Sequence, residues 1–208
     1  MHLPYQPVIR SYTFGGEQIR LFVPDEIAVR QCFGLGKSDG DVYWTRLWPS
    51  AIALCEFLAA RTSMMEGRDV WEFGAGLALP SMLAARYASS VHASDLQHDA
   101  VRYIRESALL NNYHHMKASV IDWSGMQLPP ANLVLLSDVN YDPGMFGEVY
   151  SMINGFVEAG ADIVLASPAR ITTAAFYEKL QHLIREQVTI TAGNTEVAVW
   201  LLRGNQME

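Results

Sequence analysis

Three observations predict an α/β fold built on a mostly parallel sheet. Apolar runs of strand length alternate with amphipathic runs of helix length from residue 70 to about residue 186, the pattern of a sheet with helices on both faces. The first of these apolar runs leads into a glycine-rich turn, Glu72-Phe73-Gly74-Ala75-Gly76-Leu77-Ala78-Leu79-Pro80. The last two runs, 188–191 and 196–202, are joined by too short a link for a parallel crossover, so they pair antiparallel about Gly193-Asn194. The expectation is a seven-stranded sheet with an antiparallel C-terminal hairpin at its edge. A single domain spans 1–208, with a short hairpin and loop in 1–42 and the main core in 43–208.

The elements follow in order. Residues 8–14 and 18–23 alternate loosely around Gly15-Gly16 and read as a hairpin that Pro24-Asp25-Glu26 closes. Residues 32–41 are glycine-rich and polar, either a connector or a mobile segment that closes over a site. The aromatic run Tyr43-Trp44-Thr45-Arg46-Leu47-Trp48-Pro49 precedes a helix over 50–60, whose first turn suits Pro49. A second helix covers 79–87, a strand 90–94, and a helix 100–111 that Asn111-Asn112 terminates. Strands at 118–121 and 133–137 flank the breaker Pro129-Pro130. A helix over 145–159, a strand over 162–166, a loop at 167–170 and a helix over 172–186 complete the alternation.

Composition excludes several classes of function. Half of the 208 residues are hydrophobic and 18% are charged, a globular balance with a formal net charge of -7. That charge argues against a nucleic-acid partner, which calls for a basic surface. Cys32 and Cys55 lack metal-type spacing and suggest a reducing compartment. No apolar stretch approaches a membrane span, and the start lacks the plan of a signal peptide. The expectation is a cytoplasmic protein, monomeric, with no membrane, nucleic-acid or metal partner. His92, His98, His114 and His115 show no ligand spacing with carboxylates and read as surface or packing residues.

Chemistry is written at the strand ends. In an open α/β sheet, ligands sit beyond the carboxyl ends of the strands, where strand order reverses. Gly74 and Gly76 open backbone angles closed to other residues and let a ligand approach the main chain. The first amides of the following helix point at the same place. G-x-G-x-A satisfies only part of a dinucleotide fingerprint, and alone it is equally an ordinary strand-to-helix turn. Glu72, Asp95, Asp122 and Asp138 all fall at strand ends. One such acid is usually a helix cap, but four around one glycine turn point to a site. Asp95 lies at the offset, about 20 residues after the glycines, at which a carboxylate accepts from ribose hydroxyls. A nucleoside-containing ligand follows, either NAD or S-adenosyl-L-methionine.

Seven strands closing in a hairpin favour the second. The chain resembles the class I S-adenosylmethionine-dependent methyltransferases, whose Rossmann-like fold carries an E/D-x-G-x-G-x-G turn; here Ala78 replaces the third glycine. Within that class it is most similar to the family 16 methyltransferases, which include protein-lysine methyltransferases and nicotinamide N-methyltransferase-like proteins. The likeness rests on Tyr43 to Pro49 with its helix, on Glu72 to Pro80, and on Ser137-Asp138-Val139-Asn140-Tyr141, which matches the family's D-x-x-Y/F signature. The first segment is similar to the Tyr-Trp-x-x-x-Trp-Pro of the members that methylate an electron-transfer flavoprotein. Ser167-Pro168-Ala169-Arg170 departs at two of four positions from their Asp-Pro-Gly-Arg, so that particular substrate does not carry over.

The resemblance implies a cofactor, S-adenosyl-L-methionine, and a role for each matched residue. Trp48 borders the cofactor; Glu72, Gly74, Ala75 and Gly76 belong to the turn under its methionine part; Asp95 holds the ribose. Asp122 and Trp123 flank the adenine, and Ser137 lines the pocket. Asp138 and Tyr141 face the substrate amine, with Tyr43 or Trp44 completing an aromatic wall. Ala78 is expected to be tolerated as a methyl group that tightens helix packing. The expected reaction is N-methylation of a lysine presented by a protein. The alternatives are a small amine or pyridine nitrogen, or a cofactor-binding module that has lost activity.

Overall fold

The computed structural model describes residues 3–34, 40–168 and 174–203. An N-terminal hairpin of β1 (Val8–Phe14) and β2 (Glu17–Val23) forms a separate two-stranded sheet. Such a hairpin is marginal on its own. Here Ile19 and Leu21 are fully buried, each worth about 1.5–3 kcal/mol, beneath the helices α3 (Leu79–Ala84) and α4 (His98–Leu110). Its outer edge is capped as well as packed. The Phe22 amide donates to Ser107 Oγ at 3.0 Å, and the Arg20 amide donates to Asn111 Oδ1 at 3.0 Å. Asn111 Nδ2 returns a bond to the Arg20 carbonyl at 2.6 Å. Asn111 therefore ends α4 and pairs with a strand edge that would otherwise be open to another chain.

The main sheet comprises β3 (Asp69–Phe73), β4 (Ser90–Asp95), β5 (Met116–Val120), β6 (Leu133–Ser137), β7 (Asp162–Pro168), β8 (Ile184–Ala192) and β9 (Thr195–Leu202). Their order is β5-β4-β3-β6-β7-β9-β8. β3 to β7 are parallel; β9 runs antiparallel to both β7 and β8. The antiparallel strand of the C-terminal hairpin thus lies inside the sheet, and β8 forms the edge. β6 carries four fully buried residues in a row, Leu133 to Leu136, because both of its faces are covered. β8 alternates half-buried with exposed residues, as an edge strand does.

Helices cover both faces. α2 (Pro49–Ala59), α3 and α4 bury Leu54, Leu58, Met82 and Ile104 on one side. α5 (Phe146–Glu158) and α6 (Ala174–Leu180) bury Ile153, Phe156 and Phe176 on the other. Pro49 occupies the start of α2, where a missing amide hydrogen costs nothing.

Four expectations are corrected. α1 (Glu26–Phe33) occupies the stretch read as the close of the hairpin and the start of a loop. Asp25 caps it by accepting from the Ala28 amide at 3.0 Å, and Gly34 ends it at φ 64°. It was invisible to periodicity because Val29 is its single buried residue. Second, the helix expected over 79–87 stops at Ala84. Third, the helix expected over 172–186 ends at Leu180, followed by a 3₁₀ turn at Gln181–Leu183, and Ile184 already pairs with Leu202. Fourth, no helix interrupts 121–132, so the alternation lapses between β5 and β6. Of the proposed 32–41 segment, residues 32–34 end α1 and a 3₁₀ helix spans Gly40–Thr45; residues 35–39, like Ala169 and Arg170, lie outside the described residues.

Candidate active site at the reversal of strand order

Strand order reverses at β3, which has β4 on one side and β6 on the other. A cavity of about 620 Å³ opens beyond the ends of these strands. Every residue expected in the site lines it except Glu72: Trp48, Gly74, Ala75, Gly76, Asp95, Asp122, Trp123, Ser137, Asp138 and Tyr141.

The glycine turn has positive φ at Gly74 (62°) and Gly76 (53°), angles that favour glycine. A Cβ on Gly74 would lie 3.1 Å from Val139 Cγ1 and 3.2 Å from the Trp123 ring, so a side chain there would also have to push these neighbours aside. Two bonds pin the turn to the end of β4. The Ala75 amide donates to the Ser94 carbonyl at 2.9 Å and the Gly76 amide to Asp95 Oδ2 at 2.8 Å. Asp95 Oδ1 accepts from the Gln97 amide at 2.9 Å. Burial pushes the Asp95 carboxyl up, and the bonds from Gln97, Gly76 and Leu96 hold it down. With three backbone amides donating, one of the carboxylate's roughly four acceptor sites stays open to a hydroxyl in the cavity.

Glu72 is corrected. Its side chain is fully buried beneath the turn, off the cavity wall. Glu72 Oε2 accepts from the Ser81 amide at 2.9 Å and the Ser81 hydroxyl at 2.5 Å. The helix-start amide that was expected to face a ligand is thereby occupied. Ala78 is corrected in part: it sits at φ 55° at the start of α3, so the site favours glycine for its backbone angle and not only for its volume.

Asp138, at the end of β6, is held at φ 57° with its amide donating to the Ala166 carbonyl at 2.8 Å. That left-handed conformation is one aspartate tolerates better than most residues. Three residues on, Tyr141 is 54% exposed at the mouth and meets Tyr43 edge-on at 5.5 Å. Tyr43 in turn meets Trp48 at 5.7 Å, and Trp48 Nε1 donates to the Tyr43 carbonyl at 3.0 Å. Tyr43 extends the aromatic wall; Trp44 also lines the cavity, with its ring buried against Tyr103. Trp123 packs edge-on to Phe73 at 6.4 Å and lies against the glycine turn.

Sequence reading missed Arg46 and Asp142 on the cavity wall. Asp142 carried a signal, since its side chain caps a 3₁₀ turn by accepting from the Gly144 amide at 2.8 Å. Arg46 carried none: its counter-charge Glu26 lies on the helix that periodicity did not reveal. Among the described residues, no three metal-ligating side chains converge, and His92 stacks on Trp71 at 3.9 Å.

This geometry agrees with a match of residues 36–183 to the lysine methyltransferase family. The chain belongs to that family. It is 29% identical over 136 residues to human histone-arginine methyltransferase METTL23, covering 62% of this chain and 71% of that protein. It is 26% identical over 146 residues to the electron transfer flavoprotein beta subunit lysine methyltransferase of Xenopus laevis, covering 69% and 59%. A histidine protein methyltransferase 1 homolog from Dictyostelium discoideum is 26% identical, with 59% of this chain and 42% of that protein covered. For most of these relatives the chain spans less than two thirds of their length. Among solved structures, SMU.776, a putative methyltransferase complexed with SAH, superposes over 98% of this chain and 57% of its own at a TM-score of 0.63 with 11% identity. The tRNA (uracil-54, C5)-methyltransferase of Pyrococcus abyssi, in complex with S-adenosyl-L-homocysteine, superposes at 0.59 with 14% identity over 93% and 44%. At such identities the likeness is one of fold alone.

Proposed function

We propose that this protein uses S-adenosyl-L-methionine to methylate a nitrogen on another protein, a lysine amine foremost. The observation that carries this reading is the joint placement of Asp138, Tyr141 and Tyr43 on the wall of the cavity that the glycine turn floors. The residues fit the cofactor. The turn is stripped of side chains where a ligand passes, Asp95 keeps acceptor capacity, and the cavity has the size of a small-molecule site. Four aspartates, Asp95, Asp122, Asp138 and Asp142, line the cavity, which suits a ligand that carries a sulfonium and an ammonium.

When bound, the cofactor supplies an electrophilic methyl group for in-line displacement, and the protein contributes alignment and electrostatics. Asp95 would accept from the ribose hydroxyls, Asp122 and Trp123 would flank the base, and Trp48 and Ser137 would close the walls. Asp138 accepts from the incoming ammonium, orients its nitrogen and passes the proton to water. A carboxylate stabilises the charged amine, whose ordinary pKa is about 10.4, so Asp138 aligns first and receives the proton second. Tyr141 and Tyr43 offer ring faces to the cation. The half-exposed rings, 54% for Tyr141 and 42% for Tyr43, leave the acceptor side open, which favours a residue on a protein over a free small amine. The named activities of the relatives, on arginine, lysine and histidine, support a protein nitrogen.

A labelled methyl donor tests the reading directly. Incubated with the enzyme and a cell lysate, label is expected in protein, on lysine by mass spectrometry of the labelled band. Label confined to nicotinamide or another small amine added in parallel would overturn the protein part of the proposal. No transfer to any acceptor would leave the silent module.

A further inference from the structure

The cavity wall has one cation among its described residues, and it is Arg46. The four aspartates beside it suit the positive groups of a methionine end and repel its carboxylate. We infer that Arg46 is the anchor for that carboxylate, an inference that rests on the cofactor reading above.

Position supports it. Arg46 belongs to the segment that backs the glycine turn: a Cβ on Gly76 would lie 3.5 Å from the Trp44 carbonyl oxygen and 3.6 Å from Trp44 Cα. The methionine end of a cofactor lying along Gly74 to Gly76 is thus within the reach of this segment. The guanidinium is aimed by α1. Its Nη2 donates to Glu26 Oε1 at 2.6 Å and its Nε donates to Glu26 Oε2. Glu26 Oε1 also takes Arg30 Nε at 2.9 Å. Glu26 divides its carboxylate between two guanidiniums, so it orients Arg46 without being given over to it alone. Among the described residues its Nη1 edge makes no hydrogen bond to protein, and a guanidinium edge matches a carboxylate in two parallel bonds. The Arg46 side chain is 52% exposed, open to a ligand and replaceable without leaving a hole in the core.

Decarboxylated S-adenosylmethionine, which keeps the nucleoside, sulfonium and amine, isolates the contact. Calorimetry would compare it with the intact cofactor on wild type, Arg46→Gln and Arg46→Lys. Wild type is expected to prefer the intact cofactor by at least about tenfold, the scale of a charge-assisted hydrogen bond. Arg46→Gln should lose the preference or reverse it, since the aspartates still repel the carboxylate, and Arg46→Lys should keep part of the preference. Absence of any preference in wild type, or an undiminished preference in Arg46→Gln, overturns the inference and leaves the cofactor reading standing. Failure of wild type to bind either ligand overturns both. Should Arg46→Gln not fold, Arg46→Lys carries the comparison, and a preference unchanged there counts against the inference.

Discussion

Glu72, at the end of β3, caps α3 from beneath: its carboxyl takes both the amide and the hydroxyl of Ser81. The residue at the cap position, Ala78, has no side chain that can do so. Burial pushes the Glu72 carboxyl up to about 8, the Ser81 bonds pull it down, and the charge of Asp95 adds to the rise. Its second oxygen, Oε1, is buried without a partner among the described residues, as suits a protonated acid better than an anion.

The first prediction follows from that proton. Unfolded, Glu72 titrates near its ordinary 4.5; folded, near 8. Between those values the folded chain holds a proton that the unfolded chain has lost. The stabilisation is therefore complete below pH 4.5 and fades as pH rises through 8. Glu72→Gln removes the titration. Its stability relative to wild type should rise by a few kcal/mol between pH 5 and pH 8.5, at about 1.4 kcal/mol per pKa unit. Urea denaturation at a series of pH values measures it, and a constant difference would refute the buried proton.

Ala78 balances opposing terms. A left-handed alanine costs about 1–2 kcal/mol. Glycine there would add about 0.4–1 kcal/mol of unfolded-state entropy and lose a buried methyl group worth about 0.8 kcal/mol. Ala78→Gly should thus lie within about 1 kcal/mol of wild type in urea denaturation. Ala78→Val, branched at a fully buried left-handed position, should cost more than about 2 kcal/mol.

Gly74 is constrained twice, by φ and by the Trp123 and Val139 contacts. Gly74→Ala should destabilise by about 1–3 kcal/mol. Combined with Trp123→Leu, part of the crowding is relieved and the backbone cost stays. A double-mutant cycle by thermal denaturation should therefore show a favourable coupling that falls short of full recovery.

Asp138→Asn preserves a residue type suited to the left-handed angle while removing the charge. The variant is expected to fold, to bind the cofactor within about threefold of wild type by calorimetry, and to transfer methyl groups about 100-fold more slowly. Equal turnover would exclude Asp138 from the acceptor site.

What the sequence determined by itself is whatever local pattern controls. The hydrophobic runs placed the parallel strands, and the short link at Gly193-Asn194 set an antiparallel pair. The strand ends then fixed which acids meet the glycine turn, because an α/β sheet directs all of its parallel strands' carboxyl ends to one side. Asp95, Asp122, Asp138 and Tyr141 were legible for that reason. Tertiary structure decided what depends on packing between distant segments. α1 buries one side chain, too few to leave a periodic signal, so the Glu26–Arg46 clamp could not be read. Glu72 sits in the same motif as Gly74, yet its side chain points under the turn to Ser81, because successive side chains of a strand face opposite ways and its face is the one that α3 covers. The insertion of β9 between β7 and β8 likewise has no local signature. It is settled by burial, since Val197, Val199 and Leu202 are fully buried and β8 is not.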